Sequence, residues 1–195
     1  THGMTGRVAR LLDNQLASFG QMVDASYLVS TLRLVKSPAE IAYARKAGQL
    51  ADEALDAALP LIKPGADEAA ILAAMQGAVL AGGGDYPANE FIIGSGADAL
   101  LCRYKAGRRV LDSKDQLTLE WAGVSAHYHA AMMRTVIVGK PTKRHQELFE
   151  AVREALTAVE QAMAVGSSFG DVFDANAKVM EAHGLTRHRL NACGY

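Results

Sequence analysis

The chain has 195 residues, half of them hydrophobic and 21% charged, with a formal net charge of −1. That length supports one domain with a sizeable core or somewhat more than one small one, and the near-zero charge argues against nucleic acid or an anionic membrane as the main partner. No apolar run is long enough to span a bilayer. The two cysteines, Cys102 and Cys193, form neither a disulfide framework nor a paired zinc spacing, so a cytoplasmic location is the expectation.

Residues 5–19 carry helical spacing (Val8, Leu11, Leu12, Leu16), with Gly20 as a stop. Residues 22–34 read as a connector holding a short apolar segment. Ser37-Pro38-Ala39-Glu40 is a helix start: serine caps, proline occupies the first turn, and glutamate three residues on reaches back to the cap. The helix is predicted to run to about Leu61, ended by Lys63-Pro64-Gly65. Asp67 caps a second helix, which runs to a turn at Gly82-Gly83-Gly84. Residues 91–93 form a short strand, and residues 98–104 lead through a basic loop, read as solvated, that holds Arg103, Lys105, Arg108 and Arg109.

Residues 116–139 then read as a β-hairpin with ionisable groups on an otherwise apolar ribbon. Residues 116–121 alternate polar and apolar, residues 122–126 contain a glycine-bearing turn, and residues 127–138 are again strand-like. On that reading Glu120 ends the first strand, while His127 and His129 stand two apart on the second and share a face. A carboxylate and two imidazoles brought together by a hairpin are equipped for acid–base chemistry. Their neighbours Ala130, Ala131, Met132 and Met133 supply no polar ligand, and the methionine pair reads as core.

The helical pattern recurs after the hairpin. Residues 146–165 form a helix broken by Gly166, and Ser168-Phe169-Gly170-Asp171 starts another that runs to about His183. His145 and His183 read as exposed helix positions. A displacement of 101 residues carries Gly65 onto Gly166, Leu55 onto Leu156, Ile62 onto Met163 and Ile71 onto Val172, as in an internal repeat. Residues 190–195 would enter the next strand, so the chain reads as part of a longer protein.

These segments resemble the pita-bread hydrolases, the family of creatinase, proline dipeptidase, aminopeptidase P and methionine aminopeptidase. The resemblance runs from about Leu34 to Tyr195 and rests on Leu32-Arg33-Leu34-Val35-Lys36-Ser37-Pro38-Ala39-Glu40-Ile41, Lys63-Pro64-Gly65, and the hairpin ending Met133-Arg134-Thr135-Val136-Ile137-Val138-Gly139-Lys140-Pro141. It implies an α+β pita-bread fold, of which this chain holds the first pseudo-repeat, with helices on an antiparallel sheet. Residues 1–35 would be the end of a smaller N-terminal domain and its linker, and residues 36–195 the N-terminal half of the catalytic domain.

Peptidase members bind two divalent metals through two aspartates, a histidine and two glutamates. Aligned on Arg134-Thr135, the first aspartate position holds Glu120 and the second Ala131, the histidine position falls on Tyr195, and the glutamates lie past the chain. A dinuclear site needs bridging carboxylates to hold cations about 3.5–4 Å apart, so these departures imply a site without metal or other cofactor. The segments Ile92-Ile93-Gly94-Ser95-Gly96, Ala99-Leu100-Leu101-Cys102, His127-Tyr128-His129 and Asn191-Ala192-Cys193-Gly194-Tyr195 look most like the ectoine-hydrolase group, within the metal-independent creatinase branch.

The resemblance therefore implies an enzyme that hydrolyses a C–N bond in a small-molecule substrate. Glu120 would act as nucleophile or general base, and His129 or His127 would move protons. Arg103 would hold a substrate carboxylate through a two-pronged hydrogen bond, with Tyr195 as a second substrate contact. Alternatives remain: a metal-dependent Xaa-Pro dipeptidase or aminopeptidase, or a non-catalytic binding module of the same fold. Taken one at a time, Glu120 also suits a solvated strand end, His127 a surface position, and His127-Tyr128-His129 a single-metal site. The resemblance implies a homodimer, and neither nucleic acid nor a membrane is expected as a partner.

Overall fold

The computed structural model describes residues 4–100 and 108–188. In chain order these form α1 (Gly6–Leu16), α2 (Ser26–Leu32), α3 (Pro38–Ala58), α4 (Glu68–Ala81), β1 (Ile92–Ser95), β2 (Asp115–Ser125), β3 (Tyr128–Val138), α5 (Lys143–Ala162) and α6 (Phe169–Ala182), with short 3-10 turns after α3, β1 and α6. The strands make an open antiparallel sheet in the order β1-β2-β3. This is the expected α+β arrangement. The chain groups into two compact units, one of Thr1–Leu61, Ala70–Ile92 and Leu119–Arg134, the other of Ile62–Ala69, Ile93–Thr118 and Thr135–Tyr195.

In the first unit α1 and α2 bury no residue, and the core begins with α3. The segment read as a connector contains α2, a short helix whose apolar spacing is too brief to register as periodic. The α3 start is as expected: the Ser37 hydroxyl accepts from the Glu40 amide at 3.3 Å, and the Ser37 amide donates to the Glu40 carboxylate at 2.7 Å. Ala47, Leu50, Ala51, Ala54 and Ala58 recur every three or four residues and are buried, as are Ile71, Met75 and Val79 of α4. Small residues on α3 let the sheet approach closely. The Trp121 indole N–H donates to the Ala51 carbonyl at 2.9 Å. A Cβ on Gly123 would stand 1.9 Å from the Ala47 carbonyl oxygen and 2.5 Å from the Ala51 nitrogen.

That contact corrects the hairpin. Gly123 lies inside β2, needed for close approach and not for a turn. The reversal is made by Ala126 (φ 48°) and His127 (φ 63°), a two-residue connection with both φ positive, as in a type I′ turn. The strand ends match: Ser125 precedes the turn and Tyr128 follows it, while Asp115 and Val138 close the far end. Counted out from that two-residue turn, paired positions sum to 253, which sets Glu120 opposite Met133, Ala122 opposite Ala131 and Val124 opposite His129.

In the second unit the residues around Gly65 bind the stretch before β2. Gly65 N donates to Leu111 O and Leu111 N to Ala66 O, both at 2.8 Å, and Asp67 bridges Val110. Gly139 (φ 87°) follows β3, where a Cβ would meet the Ser113 carbonyl at 2.6 Å. Helix α5 starts three residues earlier than expected because Thr142 caps it, its hydroxyl accepting from the His145 amide while His145 Nδ1 accepts from the Thr142 amide. His145 is therefore a capping residue, and its imidazole takes the place that Glu or Gln holds in the familiar signature. Ser168 and Asp171 cap α6 as expected. The second helix pair buries Ala151, Ala155 and Val159, and His183 pairs with Glu154 at 2.8 Å.

Candidate active site

The hairpin register decides which candidate residues meet. Alternation along the strands puts Leu119, Trp121 and Gly123 on the face covered by α3, all buried. Glu120 and Ala122 stand on the opposite face, with His129, Ala131 and Met133 across from them. On β3 that face is open: His129, Ala131 and Met133 are exposed, Met133 at 48%, so it is not the core residue expected. Glu120 lies in mid-strand and not at its end, half-buried, with interactions of its own.

Glu120 and Ala131 are diagonal neighbours on this open face, within reach of one another's side chains. A cation held by the Glu120 carboxylate would therefore meet a methyl group at that diagonal and the Met133 side chain directly opposite. Among the described residues no group of three or more His, Cys, Asp or Glu is placed to hold a metal.

His127 does not share a strand face with His129. It sits in the turn, exposed, and its amide donates to Asp85 Oδ2 at 3.1 Å. His129 is four residues along β3 from Met133, the residue set opposite Glu120, a backbone offset of about 13 Å at roughly 3.3 Å per residue. The hairpin thus places Glu120 and His129 on one face without bringing them together. His129 Nδ1 lies 2.8 Å from the His127 carbonyl and its Nε2 2.9 Å from the Ala88 amide. A carbonyl only accepts and an amide N–H only donates, so the proton is on Nδ1 and Nε2 is the acceptor. Arg103 and Tyr195 lie outside the described residues.

Two further arrangements escaped the reading from sequence. The Tyr128 hydroxyl donates to Glu40 Oε1 at 2.6 Å, and its ring stacks on Tyr43 with centroids 5.9 Å apart. The Tyr128 hydroxyl, aided by the Ser37 amide and hydroxyl, brings the Glu40 carboxyl down from 4.5 to about 2, and the same bond raises the Tyr128 phenol. The capping-box motif flagged Glu40, but nothing in the sequence flagged a partner 88 residues away.

The second arrangement centres on Arg109, read from sequence as part of a solvated basic run. Its backbone amide donates to Glu68 Oε2 at 3.1 Å, its Nη1 to Ser95 Oγ at 2.8 Å, and its guanidinium pairs with Asp112 and Asp115. Burial pushes the Asp115 carboxyl up, but the Asp112 amide and the Arg109 guanidinium outweigh it and hold the group below its ordinary value. Glu68 is fully buried, and its Oε1 has no partner among the described residues. This cluster sits where β1 ends, at Ser95-Gly96. A charge run in sequence gives no sign of which member is paired.

Comparison with known proteins agrees with this architecture. Residues 42–195 match metallopeptidase family M24. The chain is 25% identical over 168 residues to a Xaa-Pro dipeptidase of Pyrococcus furiosus, covering 86% of this chain and 48% of that protein. It is 28% identical over 184 residues to the ectoine hydrolase of Halomonas elongata, covering 90% and 46%. Among solved structures, the prolidase of Pyrococcus horikoshii superposes with a TM-score of 0.87 at 22% identity, over 95% of this chain and 53% of that one. The chain spans about half the length of the curated relatives it matches. With a family match over residues 42–195 and the same helix-on-sheet fold, the chain belongs to metallopeptidase family M24.

Proposed function

We propose that the protein containing this chain hydrolyses a C–N bond in a small peptide or peptide-like substrate, with Xaa-Pro dipeptides the first class to test. The supporting observation is the resemblance to a Xaa-Pro dipeptidase along 86% of the chain. Glu120 is the proposed reacting group. On the open face its carboxylate is suited to take a proton from a water that attacks the carbonyl carbon, or to attack that carbon itself, breaking the C–N bond to release the amine and leaving an acyl-enzyme that water then hydrolyses. Arg103 and Tyr195 complete the proposal as anchors for a substrate carboxylate, and His127, exposed in the turn, as a group able to exchange protons with solvent.

The family name implies metal, which in such enzymes activates water and polarises a carbonyl. The donor set described here does not fit a bridged pair of cations, because Ala131 supplies a methyl where a second carboxylate would stand beside Glu120. That observation favours a second reading, metal-independent opening of a small cyclic amidine such as ectoine, to which the 28% identity to an ectoine hydrolase lends support. A homodimer and an N-terminal domain ending near residue 35 belong to the same proposal; α1 and α2, which bury nothing, agree with the second point.

The test uses the full-length protein with a Xaa-Pro dipeptide and, separately, ectoine, each with chelator or with added manganese. Dipeptide cleavage abolished by chelator supports the first reading, and ectoine opening indifferent to chelator supports the second. On either substrate Glu120→Gln is expected to lower kcat by about 100-fold or more. Normal turnover in that variant removes Glu120 from the chemistry. No turnover of either substrate rejects both readings.

A further inference from the structure

The loop between α4 and β1 is tied to the tip of the hairpin. Asp85 N donates to Val124 O at 3.1 Å, Asp85 Oδ2 accepts from the His127 amide at 3.1 Å, and the Ala88 amide donates to His129 Nε2 at 2.9 Å. His129 Nδ1–H in turn donates to the His127 carbonyl at 2.8 Å. One side chain therefore joins a backbone donor in the loop to a backbone acceptor in a turn that two non-glycine residues make with positive φ. Such a turn costs on the order of 1–3 kcal/mol per residue and persists only where its surroundings hold it. Val124, whose carbonyl the loop binds, is fully buried, although it stands on the same face of the hairpin as Glu120. The loop thus bounds the open face at its tip end. Its residues Tyr86, Pro87, Ala88 and Glu90, with Gln76, line a cavity of about 290 Å³.

We propose that His129 is a positioning residue for the proposed hydrolase, a neutral Nδ1–H imidazole that pins residues 85–90 as the wall of the substrate site. This role rests on the hydrolase reading and replaces proton transfer by His129. Both ring nitrogens are bound to main chain. Along the ladder the backbones of His129 and of the residue paired with Glu120 stand four residues, about 13 Å, apart, so the ring is offset from the proposed reacting group. A group that shuttles protons needs a nitrogen facing substrate or water, whereas a pin needs one donor and one acceptor at fixed separation. His129 shows the second arrangement.

The experiment is hydrogen exchange on the full-length protein, read by mass spectrometry over residues 85–91, together with pH profiles of turnover on whichever substrate is cleaved. His129→Ala is expected to speed exchange in this segment about tenfold or more, the loss of roughly two hydrogen bonds. It is also expected to raise KM while both limbs of the kcat/KM profile stay where they are. His129→Gln, whose amide oxygen can accept from Ala88, is expected to recover part of the protection. Unchanged exchange in His129→Ala overturns the proposal, as does loss of a limb from its pH profile. Faster exchange with an unchanged KM also overturns it, because the loop would then be no part of the site. If the protein cleaves neither substrate, the exchange result still decides whether His129 pins the loop, and only the hydrolase reading fails.

Discussion

The first helix pair, α3 and α4, and the second, α5 and α6, are written in nearly the same pattern and end in different environments. Each pair has a capped helix, a glycine break and a second capped helix. In the first pair Leu50, Ile71 and Met75 are buried, and the covering sheet approaches closely enough to exclude a Cβ at Gly123. In the second pair only alanines and Val159 of α5 are buried. Phe149, Val152 and Leu156 stand on an exposed face, and Phe169 at the start of α6 is 95% exposed. The superposed positions diverge as well, Ile71 being fully buried and Val172 only half-buried. Caps and periodicity make a helix; what lies against it decides which apolar positions contribute to stability.

Substitutions separate the two pairs. Gly123→Ala is expected to have the largest effect, because the new methyl would collide with α3 backbone that cannot rotate away. A loss of about 3 kcal/mol or more is expected, seen as a fall in the denaturant midpoint or a failure to fold. An unchanged midpoint would mean that α3 and β2 are not packed as described. Next comes the contrast between two leucines. Leu50→Ala should cost about 3 kcal/mol, and Leu156→Ala at 53% exposure only about 0.5 kcal/mol or less, measured on the same chain. Equal losses would erase the difference between the pairs.

The smallest expected effect is a pH dependence at the start of α3. The Glu40 carboxyl is depressed in the folded chain from 4.5 to about 2. Its contribution is therefore fully present above pH 4.5 and is lost as pH falls through about 2. Glu40→Gln should lie below the parent in thermal midpoint near neutral pH, with the gap closing between pH 4.5 and 2. A gap that does not change across that window would remove the Tyr128–Glu40 bond from the account.

Legibility differed between fold and site for a physical reason. Helix starts at Ser37, Asp67 and Ser168 were readable because a cap is a local hydrogen bond between residues two or three apart. The family was readable from segments whose residue types matched a known pattern. The observed turn differs from the expected one because a glycine usually marks a reversal, whereas Gly123 answers to a helix in contact and Ala126 and His127 accept the positive φ. His127 and His129 share no strand face for the same reason, since the turn takes in His127 and the second strand begins only at Tyr128.

By itself the amino-acid sequence determined every helix but α2, the existence of a hairpin, the α+β class, and the identities Glu120 and Ala131 at the two positions that matter most to the proposed chemistry. The helices and the hairpin follow from local hydrogen bonding and side-chain period, the class and the two positions from the resemblance to a known family. Only the tertiary structure decided the register that separates Glu120 from His129, the tautomer of His129, the pairing of Arg109 with Glu68, Ser95, Asp112 and Asp115, and the burial of one helix pair beside the exposure of the other. Each depends on groups distant in the chain meeting within a few ångströms, and neither period nor composition encodes that distance.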